Sequence, residues 1–200
     1  MSTETRKYEL RERARRQEDT RRRIVEATVA LHQEVGPAKT TVAEIARRAG
    51  VQRLTVYNHF PEDAELFAAC SAHYVEAHPS PPLDDLAEIE DPRERTMAAV
   101  ERYYERWRET EPMMYNVLRD RSLLPALDER VRLTVDAGLE RLAGELAGAF
   151  GARGRRPERL RALIRLALDF WTWRLLTAQG LGDAAAARLM GDVIARHASG

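Results

Sequence analysis

The sequence predicts an all-α chain, with a small N-terminal three-helix domain followed by a larger helical C-terminal domain. Three observations carry this. Apolar residues recur at three- and four-residue spacing along most of the chain, and no stretch alternates with the period of two expected of a half-buried strand. Pro37, Pro61, Pro79, Pro92, Pro125 and Pro157 stand at the edges of those segments, where helices begin or stop. Residues 40–60, TTVAEIARRAGVQRLTVYNHF, hold two short helical patterns around a single glycine.

Composition sets the frame. Of 200 residues, 44% are hydrophobic and 32% charged, a balance that suits a folded chain rather than a disordered one. No apolar run approaches the roughly 20 residues of a membrane span. The charged N-terminus lacks the apolar stretch of a secretory signal, so a cytoplasmic protein with no membrane partner is expected. The single Cys70 excludes a disulfide within the chain. Net charge is zero, yet residues 1–60 hold 13 Lys or Arg against 8 Asp or Glu, and the rest carries the matching acidic excess. A basic head on an acidic body suits a nucleic-acid partner for the head.

Residues 1–18 interleave arginines with glutamates and offer no apolar face, so a solvated, mobile or partly helical extension is expected. The alternative is a basic arm along DNA. A first helix should run from Asp19 or Thr20 to Val35, with Ile24, Ala27, Thr28, Leu31 and Val35 inward and Gly36-Pro37 as its stop. Thr41 and Glu44 then form a capping box, ahead of an apolar face of Ile45, Ala46 and Ala49. Gly50 can end that helix in the left-handed region without Cβ strain. The next helix, from about Arg53 to His59, turns Val51 and Val56 inward. Pro61 opens a fourth helix with Leu66, Phe67, Cys70 and Tyr74 on one face, closed by Pro79, Pro81 and Pro82. The boundaries read as an extension 1–18, a head with its connecting helix 19–78, and a body 83–200.

In the body the pattern places helices at 92–109, at 112–118, over about 25 residues from Pro125, from Pro157 to near Gly180, and from Asp183 to about His197. The GARGRR stretch at 151–156 separates the third from the fourth. No nucleophile, base or metal constellation stands out, and His59, His73 and His78 lack zinc-site spacing, so neither enzyme, metal nor cofactor is expected.

The head carries the chemistry. Its spacing matches a helix-turn-helix, with small Ala46 at the crossing and Gly50 at the turn. A plain helical hairpin would share that pattern. A hairpin has no reason, however, to present Arg53, Tyr57, Asn58 and His59 together as donors suited to phosphates and base edges. Three segments agree in register: RRRIVEATVALHQEVG, TTVAEIARRAGV and TVYNHFPEDAELF. Over about residues 20–70 they resemble the N-terminal domain of the TetR family of bacterial transcriptional regulators.

That resemblance implies an N-terminal DNA-binding domain and a C-terminal helical ligand-binding and dimerisation domain. It implies phosphate contacts from Thr41, Thr55, Tyr57 and His59, and a base-facing set of Gln52, Arg53, Leu54 and Asn58. Two features depart from the family pattern. Gln52 and Leu54 replace a common Ser and Gly, and Asp63 replaces a usual lysine, which removes one phosphate contact. The partners implied are double-stranded DNA, a second copy of the chain as a homodimer, and a small-molecule effector. The function expected is a repressor released from a palindromic operator by that effector. An effector-independent DNA-binding structural protein and an activator are the alternatives.

In the body, Tyr103, Trp107, Met113, Tyr115, Phe170, Trp171 and Arg174 are expected to line an effector pocket, since aromatic and methionine side chains make adaptable walls. Tyr104, Met114 and Trp173 add to that aromatic density. Arg174 falls in an apolar sector and should find a carboxylate, with Asp128 and Asp136 as candidates. Treated as one helix, 157–179 is apolar around most of its circumference and needs cover on two sides. With the last helix it should build a four-helix dimer interface from Leu163, Ala167, Ala186, Leu189, Met190, Val193 and Ile194.

Overall fold

The computed structural model describes residues 3–151 and 157–199; Arg153, Arg155 and Arg156 of the GARGRR stretch lie outside the described residues. Ten α-helices and short 3-10 or π turns account for the described secondary structure, and no strand occurs among the described residues. The helices are α1 Thr3–Glu34, α2 Val42–Ala49, α3 Arg53–His59, α4 Asp63–Ala77, α5 Pro92–Asp120, α6 Pro125–Val131, α7 Ala137–Ala149, α8 Pro157–Ala167, α9 Phe170–Ala178 and α10 Asp183–Ser199.

The chain forms two compact units. The head comprises residues 1–78 with 115–130, and the body comprises residues 79–114 with 131–200. The segment 115–130, assigned to the body on sequence grounds, therefore belongs with the head.

Four element boundaries differ from expectation. The first helix starts at Thr3, so the charged extension continues α1. Its dense charge is compatible with this, since arginine and glutamate are good helix formers and pairs such as Glu12–Arg15 fall on neighbouring turns. The fourth helix begins at Asp63 rather than Pro61, with Asp63 and Glu65 at its positive end. Residues 92–120 form one helix, with Pro112 inside it. Pro112 is exposed, which lets the interrupted backbone face water. The helix expected over 125–150 contains a π turn at Arg132–Asp136, which shifts its face by one residue.

The helix expected over 157–179 is two. Asp169 adopts an extended conformation (φ −72°, ψ 139°) and its carboxylate caps α9 by accepting from the Trp171 N–H. The Trp107 indole N–H donates to the Leu168 carbonyl at this break, at 3.0 Å. A cap residue just before an apolar run was the available signal, and continuous periodicity masked it.

Candidate nucleic-acid interface

The head is built on a buried seam. Ile24, Val25, Ala27 and Leu31 from α1 meet Ile45, Ala46 and Ala49 from α2, Val56 from α3, and Leu66 and Cys70 from α4. Thr28 is fully buried on the same face and satisfies its hydroxyl by donating to the Ile24 carbonyl. Burying each large apolar side chain here contributes about 1.5–3 kcal/mol. Together they fix the angle at which α3 leaves the domain.

The turn forms as the residues dictate. The Thr41 hydroxyl accepts from the Glu44 N–H at 3.2 Å and caps α2. The reciprocal half of the capping box is not used, because Glu44 pairs with Arg47 at 2.9 and 2.5 Å. Gly50 takes φ 65° and ψ 41°, the left-handed conformation a side chain would strain. The Val51 N–H then donates to the Ala46 carbonyl, and the chain re-enters a helix at Arg53.

On α3, Val56 is 1% exposed and pins the helix inward. Gln52, Arg53, Leu54, Tyr57 and Asn58 are exposed, and Thr55 and His59 are half-buried. Leu54 and Tyr57 leave 66% and 53% of their surfaces open, large apolar areas on a helix that has a core to join. Thr41 is exposed at the start of α2. Asp63, in place of a basic residue, begins α4 and is also exposed.

The far end of α3 is held from α1. Arg21 donates to the His59 carbonyl at 3.0 Å, and its guanidinium lies 4.1 Å from the centre of the Phe60 ring. This placement makes Arg21 a clamp on the recognition helix. Arg48 pairs with Glu34 through two bonds of 2.7 Å, tying α2 to α1.

A second clamp involves residues invisible as site residues in the sequence. Asn116 is buried and donates to the carbonyls of His32, at 3.1 Å, and Gln33, at 2.9 Å, the orphan acceptors at the end of α1. Asp120, also buried, accepts from the Ala38 N–H at 3.0 Å and pairs with Arg119 at 2.7 Å. Burial alone would raise the Asp120 carboxyl, but the Arg119 guanidinium and the Ala38 N–H hold it below the usual carboxylate range. The His32 ring is lowered from 6.5 to about 4 by burial, partly opposed by Asp120. Burial pushes the Cys70 thiol up to about 12, partly opposed by the Thr28 hydroxyl, so the thiol stays protonated.

In the body, Trp107, Met113 and Phe170 are buried and Tyr103 is half-buried. Two other expected pocket residues lie outside that buried set. Trp171 is 43% exposed, with its ring edge-on to Phe170 at 5.2 Å, because the break at Asp169 rotates α9 away from the continuous-helix register. Tyr115 belongs to the head unit, where its ring lies 5.5 Å from the Arg119 guanidinium. Arg174 does find a carboxylate, but it is Glu111, at 2.5 Å. The candidates named from sequence are engaged elsewhere, Asp128 with Arg121 at 2.7 Å and Asp136 with Arg165 at 3.6 Å.

The expected interface divides too. Ala167, Ala186, Met190 and Ile194 are buried within the subunit and Leu163 is half-buried, whereas Leu189 and Val193 are exposed. Leu166 and Leu175 are also exposed, and the sequence did not single them out. A stripe on α10 faces its own unit because α8 and α9 already pack against it.

An outward α3 joined to α2 through the Gly50 turn and backed by α1 is the arrangement of a helix-turn-helix DNA-binding protein. The family described as bacterial regulatory proteins of the tetR family matches residues 24–70. An HTH-type transcriptional regulator of Mycobacterium tuberculosis is 30% identical over 132 residues, covering 66% of this chain and 67% of that protein. The chain belongs to the TetR family and is a DNA-binding transcriptional regulator. The regulator TtgR of Pseudomonas putida is 41% identical over 61 residues, covering 30% of this chain and 29% of its own. A TetR-like transcriptional regulator from Rhodococcus sp. RHA1 shares the fold, with a TM-score of 0.62 and 21% identity over 90% of this chain and 96% of that one. Among the described residues no helix is long and apolar enough to cross a membrane.

Proposed function

We propose that this regulator is a repressor that binds a palindromic operator as a homodimer and is released by a small-molecule effector. The observation that carries the DNA half is the strip on α3, exposed beside a helix face held on the buried seam by Val56. In this reading Arg53 reads a guanine edge, with Gln52, Leu54 and Asn58 over neighbouring bases. Thr41, Thr55, Tyr57 and His59 hold phosphates and set the register.

The dimer reading draws on Leu166, Leu175, Leu189 and Val193, exposed apolar side chains on α8, α9 and α10 that a second copy would cover. The effector reading draws on the buried aromatic residues of the body. Coupling would run along α5, a single helix whose last turn carries Asn116 and Asp120 to the end of α1. A shift of that turn would move α1, and with it the Arg21 clamp on α3.

Selection of binding sites from a random DNA pool by the purified protein tests this. Two copies of one half-site in inverted order, roughly one helical turn apart or more, is the expected product. Enrichment of no sequence, with affinity that depends only on salt, is the outcome that removes the operator.

A further inference from the structure

Among its described residues the body holds one buried side-chain nitrogen or oxygen without a hydrogen-bond partner, the Tyr104 hydroxyl. Tyr104 is fully buried on α5, and a phenylalanine would fill the same ring space without stranding a hydroxyl. Leaving such a group unsatisfied is destabilising. The surrounding polar groups are already engaged. Trp107 donates to Leu168, and Trp173 donates to Asp183. Asp183 also pairs with Arg108 at 2.6 Å, and Asp169 with Arg165 at 3.1 Å.

Tyr104 and Trp107 lie on one turn of α5, beside the helix break at Leu168 and Asp169. Phe170 begins α9 at that break, with its ring edge-on to Trp107 at 5.8 Å and 5.5 Å from Trp173. The extended Asp169 separates α8 from α9 at this point.

We infer that the effector enters at this break, against Trp107, Phe170 and Trp173, and is an uncharged, largely apolar molecule with an oxygen that accepts a hydrogen bond from the Tyr104 hydroxyl. This rests on the effector reading above and names its ligand class. Aromatic walls favour a flat or chain-like apolar body. An anion is disfavoured, since Asp169 and Asp183 stand close enough to push the Tyr104 hydroxyl further up after burial has raised it. A cation would need an unpaired carboxylate, and both are already paired with arginine, so burying its charge is uncompensated. A carbonyl or ether oxygen meets neither obstacle and satisfies the stranded donor.

Three tryptophans occur in the chain, and all of them, Trp107, Trp171 and Trp173, belong to these elements. Trp107 and Trp173 line this site while Trp171 is exposed, so the intrinsic fluorescence of a Trp171→Phe chain reports on this site. The test titrates matched ring and chain probes: a ketone, the hydrocarbon of the same shape, the carboxylate and the trimethylammonium. The ketones should bind tightest. Tyr104→Phe should weaken them about tenfold, to the level of the hydrocarbons, and should raise the melting temperature of the ligand-free chain.

Tighter binding of the carboxylate or the ammonium overturns the ligand class and leaves the effector reading standing. So does ketone affinity unchanged by Tyr104→Phe, or a lower melting temperature for that variant. If no probe of any charge binds, the effector reading itself falls.

Discussion

At the scale of single residues, substitutions separate the base-reading role proposed for Arg53 from the phosphate role proposed for Tyr57. Arg53→Ala should relax preference at one base position by about 1–3 kcal/mol, while Tyr57→Phe weakens all sequences alike. Binding isotherms on the selected operator and on shuffled DNA check both. Equal loss on the two DNAs for Arg53→Ala would contradict base reading. His32 gives a pH effect. Its folded pKa, about 4, lies below the 6.5 of an unfolded chain, so the unfolded state binds the extra proton in that window. Its contribution is present in full above about pH 6.5 and is lost as pH falls towards 4. In that range His32 should destabilise the head by about 1.4 kcal/mol per pH unit. His32→Phe, beside Phe67, should flatten that slope in chemical denaturation. Identical slopes for wild type and variant would show that His32 does not titrate there.

At the scale of elements, the end of α5 holds the end of α1 through Asn116 and Asp120. Gly36 sits at φ 94°, and a Cβ there would collide with the Arg119 guanidinium and lie 2.5 Å from Asp120 Oδ2. Gly36→Ala should therefore destabilise twice over, through backbone strain and through loss of the Asp120–Ala38 bond, by about 2–4 kcal/mol in total. Asn116→Ala frees two carbonyls in a buried place and should destabilise the head by about 1–3 kcal/mol. Melting of the two variants decides this, and a Gly36→Ala chain as stable as wild type would refute the placement of Arg119 and Asp120. Neither effect follows from periodicity, because Asn116 and Asp120 lie some 80 positions from the backbone they hold.

At the scale of the whole molecule, the exposed apolar residues of α8 to α10 should set the oligomeric state. Leu189→Glu with Val193→Glu places two carboxylates one turn apart on the open face of α10. Sedimentation should then show monomers, and operator affinity should drop at least tenfold, since two heads no longer bind together. The buried neighbours Ala186 and Ile194 offer a control, because enlarging either disturbs the core instead of the association. A doubly substituted chain that still sediments as a dimer would move the interface elsewhere.

The turn around Gly50, the cap at Thr41 and the inward set of Ile45, Ala46, Ala49 and Val56 were legible in the sequence, as was the outward strip on α3. Each depends on residues within a few positions of one another, where helical geometry alone decides which side chains share a face. What only the tertiary structure decided concerns distant partners. It gave Arg174 to Glu111 and Arg21 to the end of α3, placed 115–130 with the head, stranded the Tyr104 hydroxyl, and broke the apolar run at Asp169 so that Trp171 faces outward. An apolar residue can bury itself against its own subunit, a partner or a ligand with the same periodicity. The packing of α8, α9 and α10 against one another, absent from any local pattern, selects among them.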